Sequence, residues 1–221
     1  MITYSSKKIY IIGSNPNDFF DLTVEAINIF SQSDLIIFSK KFNSQYKVFF
    51  KKNNKKVFLE EDLADSKIKL LKVIHKLFEK YNSISYLKVG DTFLFFENHE
   101  ELFFKKKNIQ VEKVLGIPEI ILWINKRKLF LTNRNKNSSV SFFYPKTKND
   151  CKKIPNIRNF EKLIIKVSVE LVIQSLKNLL LKKLDKKYKY KVFANAKEIK
   201  LNKSLKLDKS INDVYIILEN A

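Results

Sequence analysis

All three glycines of this 221-residue chain stand at the end of an apolar run, ahead of polar residues or proline: IIGSNPND (11–18), LKVGDTFLF (87–95) and VLGIPE (114–119). In open α/β sheets, ligands bind beyond the carboxyl ends of strands, where loops meet helix N-termini and present backbone N–H groups. A glycine at such a place supplies a positive φ or lets a ligand come close to the main chain. Lys and Asn occupy most permissive positions of this chain, so the surviving glycines mark sites where a side chain is poorly tolerated. Ligand binding by the main chain is the chemistry they suggest. Metal chemistry has little to draw on. Cys151 stands alone, and only His75 (KVIHKLF) and His99 (ENHEE) accompany it, too few for a Cys/His zinc site. Both histidines read as ordinary helix residues.

The elements that would position these residues follow from hydrophobic periodicity. Strands are expected at 8–13, 34–39, 84–89 and 109–114. Helices are expected after SNPND, over 63–81, near 97–107 and over 117–126. This alternation predicts an α/β layer with a largely parallel sheet. KKNNKK (51–56) reads as a solvated connection. Beyond it, a polar turn feeds a strand within 129–144, KTKNDCKKIPN (146–156) reads as a loop or hinge, and strands at 162–167, 190–194 and 213–218 flank a helix over 169–184. The expected organisation is an N-terminal α/β domain, 1–120, carrying the cofactor and substrate loops, and a C-terminal α/β domain, 121–221.

Composition narrows the class of protein. The chain is 45% hydrophobic, with 43 Lys+Arg against 23 Asp+Glu and a formal charge of +20, and its only arginines are Arg127, Arg134 and Arg158. Scattered lysine with scarce glycine looks like the product of an A+T-rich genome, and compositional drift is the preferred reading of the charge. The other reading is a field for polyanions; nucleic-acid binders concentrate charge and interleave aromatics or arginine, so nucleic acid is not the expected partner. The lone cysteine, the short apolar stretch at the N-terminus and the lack of 18 consecutive apolar residues predict a cytoplasmic protein with no membrane partner.

Four segments in order carry a resemblance. IIGSNPNDFFDLT keeps Gly13, Pro16, Asp18, Leu22 and Thr23 of a strand–GxGPGD–LLT pattern, and VEAINIFSQSDLIIFS follows at matching spacing. LKVGDTFLFFENHEE (87–101) aligns without a gap to LKGGDPFxFGRGGEE. VLGI (114–117) corresponds to VPGI, and FLTNR (130–134) with Ser139 and Val140 to PLTHR followed by SV. In these motifs the chain resembles the tetrapyrrole methylases over roughly residues 8–144, and only the strand pattern continues beyond.

The resemblance implies a two-lobed α/β fold with S-adenosylmethionine in the cleft between two α/β domains, no metal, and a homodimer. It implies methylation of a polycarboxylate tetrapyrrole: uroporphyrinogen III to precorrin-2, toward sirohaem or cobalamin. Alternatives within it are another tetrapyrrole or a ribosomal RNA as substrate; outside it stands a catalytically silent binding or dimerisation module. The implied cofactor residues are Gly13, Pro16, Val89, Gly90, Asp91, Leu94, Pro118 and Glu119, with Val167 and Ala196 in the last third. Arg134 would bind a substrate carboxylate. Methyl transfer depends on positioning and on a base that finally takes a proton. The family's candidate base is an Asp closing the second strand, where this chain has Ser39. A serine hydroxyl is not an ionised base near neutral pH, so another group or water must act, or the enzyme is slow or inactive. A family lysine assigned as proton donor corresponds to Lys51. Val89 and the asparagines at 15 and 17 replace family glycines, with Asn expected to tolerate positive φ there.

Overall fold

A computed structural model of the protein describes residues 7–94, 98–126, 128, 131–132, 139–155, 161–172, 175, 188–194, 197–199 and 213–220. The chain divides into two compact units, Met1–Ile121 and Leu122–Ala221.

Among the described residues the first unit holds five strands: β1 (Lys8–Ser14), β2 (Leu35–Phe38), β3 (Lys56–Leu59), β4 (Ser83–Val89) and β5 (Gln110–Val114). Their order is β3-β2-β4-β1-β5, and every pairing is parallel, as the alternation of strand and helix predicts. Between them run helices α1 (Val24–Gln32), α2 (Ser44–Lys52), α3 (Glu60–Leu63), α4 (Lys67–Leu77) and α5 (His99–Lys105). Side chains alternate across a strand, and two cores result. Tyr10 and Ile12 of β1 pack with Ala26, Ile29, Phe30, Tyr46 and Phe50 of α1 and α2. On the other face, Ile9 packs with Leu70, Leu71, Ile74 and Phe104 of α4 and α5. The chain therefore leaves β1 and β2 toward one face and the neighbouring β4 toward the other. Loops that diverge in this way open a crevice at the strands' carboxyl ends, which is where Gly13, Ser39 and Gly90 stand.

Two elements differ from the expectation for 51–56. Lys51 and Lys52 end the helix α2, which Asn43 caps by accepting from the Gln45 N–H at 2.9 Å. Its Tyr46 and Phe50, four residues apart, face the core fully buried. Asn54 then reverses the chain with φ 53°, and Lys56 already begins β3. A four-residue strand directly after a lysine-rich turn leaves too little apolar sequence to show a period of two.

The second unit contains β6 (Val140–Phe143), β7 (Lys162–Ser168), β8 (Tyr188–Ala194), β9 (Lys197–Ile199) and β10 (Asp213–Asn220) in the order β6-β7-β10-β8-β9. Of these pairings, β6–β7 is parallel and the other three are antiparallel. Cys151, Ile154, Leu171 and Val172 pack on this sheet. The segment expected as a plain loop, 146–156, carries the one-turn helix α7 (Lys148–Cys151), set by a capping box in which Thr147 and Asp150 satisfy each other's backbone N–H. Residues 169–172 are helical, and the rest of the helix expected to 184 lies outside the described residues except Ser175, also helical. Helix α6 (Glu119–Lys126) spans the division between the units. Among the described residues, no helix is long and apolar enough to cross a membrane.

Candidate functional site

The glycines at the carboxyl ends of β1, β4 and β5 meet one another. The Gly90 N–H donates to the Ser14 carbonyl at 2.8 Å. A Cβ added at Gly13 would lie 2.5 Å from the Gly90 carbonyl oxygen and 2.7 Å from the Gly116 nitrogen, and one at Gly116 would run into the Gly13 and Gly90 backbones. No side chain fits between these three segments. Gly90 is different. Its φ is +86°, and a Cβ there would meet nothing within 4 Å, so the crevice beside it is open to whatever approaches the main chain.

Asp91 and Thr92 fix this junction. The Asp91 carboxylate accepts from the N–H groups of Phe93 (2.9 Å), Leu94 (2.7 Å) and Gly116 (3.1 Å). Buried Thr92 donates to the Val114 carbonyl at 2.9 Å. Both oxygens of Asp91 thus bond the protein's own backbone and hold the β4 loop against the end of β5. Val89 is an ordinary residue of β4, paired with Ser14 and exposed, a place where extended backbone suits a β-branched residue. Neither Asn15 nor Asn17 has a positive φ. Instead Asn15 is buried, its Oδ1 accepts from Asn17 N at 3.0 Å, and its Nδ2 donates to Asp21 at 2.6 Å. Tyr46 donates to the Asn15 carbonyl at 2.6 Å, and Asn43 N donates to the Pro16 carbonyl at 2.8 Å. Burial raises the Tyr46 phenol well above its usual range, with the Asp18 and Asp21 charges adding to the effect, so it remains a proton donor. Asn15 stabilises the β1 loop by its side-chain hydrogen bonds, the work of an Asx turn, and Asn17 takes part through its backbone N–H and carbonyl.

Pro118 precedes α6 and accepts from Ile121 N at 2.9 Å. Glu119 opens that helix, where its charge suits the helix dipole. Val167 is fully buried in the core of the second unit, so its side chain is committed to packing. Ala196 and Arg134 lie outside the described residues.

A pocket of about 510 Å³ lies at the carboxyl ends of β2, β3 and β4, lined among others by Ser39, Lys41, Glu61, Lys88, Val89 and Glu100. Ser39, which follows β2 and is only 8% exposed, donates from Oγ to Glu61 Oε1 at 2.5 Å. The Lys40 N–H donates to both Glu61 oxygens, at 3.0 and 2.8 Å. Partial desolvation pushes the Glu61 carboxyl up, but the hydrogen bonds from Ser39 and the Lys40 backbone outweigh it and hold the group below the usual carboxylate range. Deeper in, Glu100 is 1% exposed. Its Oε1 pairs with Lys67 at 3.3 Å and Lys88 at 3.4 Å, while its Oε2 is buried without a hydrogen-bond partner. Lys88 also donates to the Tyr86 hydroxyl at 3.0 Å.

Lys51 is not part of this pocket. It is exposed and lines a separate groove of about 570 Å³ with Lys47, Asn54 and Asp62. Ser39, at the position of the family's candidate base, and Lys51, at that of its proton donor, therefore line different cavities of the first unit. The pocket's own acids and cations escape a reading of motifs alone. A signal for them exists nonetheless: EED (60–62) is an acidic run in a chain of charge +20, and Glu100 lies inside the quoted stretch LKVGDTFLFFENHEE. No group of three or more His, Cys, Asp or Glu is placed to hold a metal ion among the described residues.

Comparison with known proteins follows the same lines. A family model described as tetrapyrrole (corrin/porphyrin) methylases matches residues 8–196, extending well into the last third, where the motifs fade. A curated relative, the uroporphyrinogen-III C-methyltransferase of Cyanidium caldarium, is 28% identical over 155 residues, 66% of this chain and 62% of that protein. The chain thus spans a little under two-thirds of that relative's length. Among solved structures, uroporphyrin-III C-methyltransferase from Thermus thermophilus, complexed with S-adenosyl homocysteine, superposes with a TM-score of 0.66 at 16% identity, covering 95% of this chain and 96% of that one. Cobalt precorrin-4 methyltransferase gives a TM-score of 0.66 at 13% identity, over 99% and 97% of the two chains. At such identities the structures speak for a shared fold.

Proposed function

The chain belongs to the tetrapyrrole (corrin/porphyrin) methylases, and from that premise we propose that it transfers methyl groups from S-adenosylmethionine to carbon atoms of uroporphyrinogen III, yielding precorrin-2 for sirohaem or cobalamin synthesis. The observation that carries this reading is the open main-chain crevice at Gly90, beside a pocket that mixes carboxylates and ammonium groups. The crevice fits the methyl donor: Gly13 and Gly116 bring three backbone segments together, and Gly90 leaves the space before them clear. Gly13, Pro16, Val89, Gly90, Leu94, Pro118 and Glu119 are the first-unit residues that would hold it, with Asp91 keeping the loop in place through its backbone bonds.

When bound, S-adenosylmethionine supplies an electrophilic methyl group, whose C–S bond breaks with the electron pair left on sulfur as a ring carbon forms the new C–C bond. The protein's share is orientation and proton removal. A tetrapyrrole with carboxylates around its rim and N–H groups at its centre needs cations and acceptors together. Lys41, Lys88, Glu61 and Glu100 offer both in one pocket. The relative from Cyanidium caldarium supports uroporphyrinogen III as the substrate. A homodimer is the assembly we propose.

The test is direct. S-adenosylhomocysteine is titrated calorimetrically into the protein, and labelled methyl transfer to uroporphyrinogen III is then assayed under anaerobic conditions. Binding together with a dimethylated product is the expected result. Binding without transfer would indicate a silent module, transfer to a different tetrapyrrole would move the substrate, and absence of both would overturn the reading.

A further inference from the structure

We infer that Glu61 is the base of this site, taking the proton that a methylated pyrrole ring must shed, and that Ser39 is its positioning residue. The inference rests on the proposed methyl transfer. Once a ring carbon has given its electron pair to the incoming methyl group, the ring carries a positive charge. It returns to neutrality when a proton leaves the ring nitrogen or the adjoining bridge carbon for a base, the freed C–H or N–H pair re-entering the ring as the base becomes a carboxylic acid.

Three carboxylates line the pocket at the ends of β2–β4: Glu60, Glu61 and Glu100. Glu60 faces Lys88 at 3.9 Å, and Glu100 is sealed between Lys67 and Lys88. A carboxylate that is neutralised in its ground state gains little from taking a proton. Glu61 is held otherwise. Its fixed donors are a hydroxyl and a peptide N–H, from Ser39 and Lys40, and no ammonium group lies within ion-pair distance of it among the described residues. Those bonds fix its direction and keep it ionised at neutral pH, while lone pairs remain for an incoming proton. The acceptor can be weak because the cationic ring is a strong acid. Glu61 also stands exposed at the pocket's rim, so water can carry the proton away and restore the base.

The buried oxygen of Glu100 gives independent reason to expect an occupant. A buried acceptor without a partner is rare in folded proteins, and Glu100, a lining residue of the same pocket as Glu61, keeps its Oε2 without a donor. A ring N–H is the class of donor it lacks, and such a bond would seat a pyrrole beside the base. The carboxylate missing from the end of the second strand is thus supplied from the end of the third, through the serine that occupies the vacant position.

Glu61→Gln keeps the shape and an acceptor for Ser39 while removing the base. The expected result is unchanged calorimetric binding of S-adenosylhomocysteine, near-normal fluorescence binding of the stable oxidised ligand uroporphyrin III, and a kcat lower by about 10²–10⁴-fold, with Glu61→Asp recovering part of the loss. A second readout needs no turnover: in carboxyl ¹³C NMR, the Glu61 resonance, identified by its absence from the Gln variant, titrates below the usual range and moves up in Ser39→Ala. Retention of wild-type kcat in Glu61→Gln, with both ligands bound, would overturn the base while leaving the methyltransferase reading intact. An unmoved Glu61 titration in Ser39→Ala would overturn the positioning role. A wild-type protein that binds neither ligand would overturn the methyltransferase reading and the base with it.

Discussion

Gly13 and Gly90 show two unrelated reasons for the same residue, one a close approach of backbones and the other a left-handed φ facing open space. Their alanine variants should therefore behave differently. Gly13→Ala forces a methyl group into peptide atoms that cannot rotate aside, and is expected to cost about 3 kcal/mol or more of stability. Gly90→Ala meets no atom and bears only the strain of its φ, about 1–2 kcal/mol; the folded variant should bind S-adenosylhomocysteine more weakly. Urea midpoints separate the first effect and calorimetry the second. That these glycines matter is legible in the sequence, because the chain has so few. The meeting of Gly13 with Gly116 is not, since it depends on β1 and β5 lying side by side. The same holds for Ser39 and Glu61, which no spacing in the chain connects.

Elements were legible wherever an apolar run was long enough to show its period, as in β1, β4 and α4. Those set by a few local bonds were not. Helix α7 is one turn long and depends on the reciprocal Thr147–Asp150 bonds, so Thr147→Ala should lower stability by about 1 kcal/mol in a thermal or denaturant melt. Strand ends depend on similar contacts. Asp34 precedes β2 and accepts from the N–H groups of Asn82 and Ser83, each at 2.9 Å, tying β2 to the start of β4. Desolvation pushes its carboxyl up, and the bonds from Ser83 and Asn82 more than reverse this, leaving it below its ordinary value. A carboxyl that is lower in the folded state stabilises at pH values above the ordinary carboxylate range and loses that contribution as pH falls through the folded value. Asp34→Ala should accordingly be less stable than wild type at pH 7, with the gap narrowing by about pH 3; melts at the two values check it.

Across the molecule, a formal charge of +20 sets a self-repulsion that no single pair reveals. Raising NaCl from about 10 to about 150 mM shortens the screening length from roughly 30 to roughly 8 Å, and should raise the thermal midpoint of unfolding; a fall instead would mean that attractive pairs such as Lys8–Glu112 dominate. The glycine junction has a bearing on time as well as space. Gly13, Gly90 and Gly116 belong to distant parts of the chain, and their contact closes long loops whose entropy must be lost before the contact returns anything. With no side chain to capture a partner from a distance, the three peptides can lock only after the strands on either side have found their register. The junction should thus be a late event, absent from the folding transition state: Gly13→Ala would accelerate unfolding and leave the folding rate nearly untouched, so that the crevice is the last part of the first unit to assemble and the first to open.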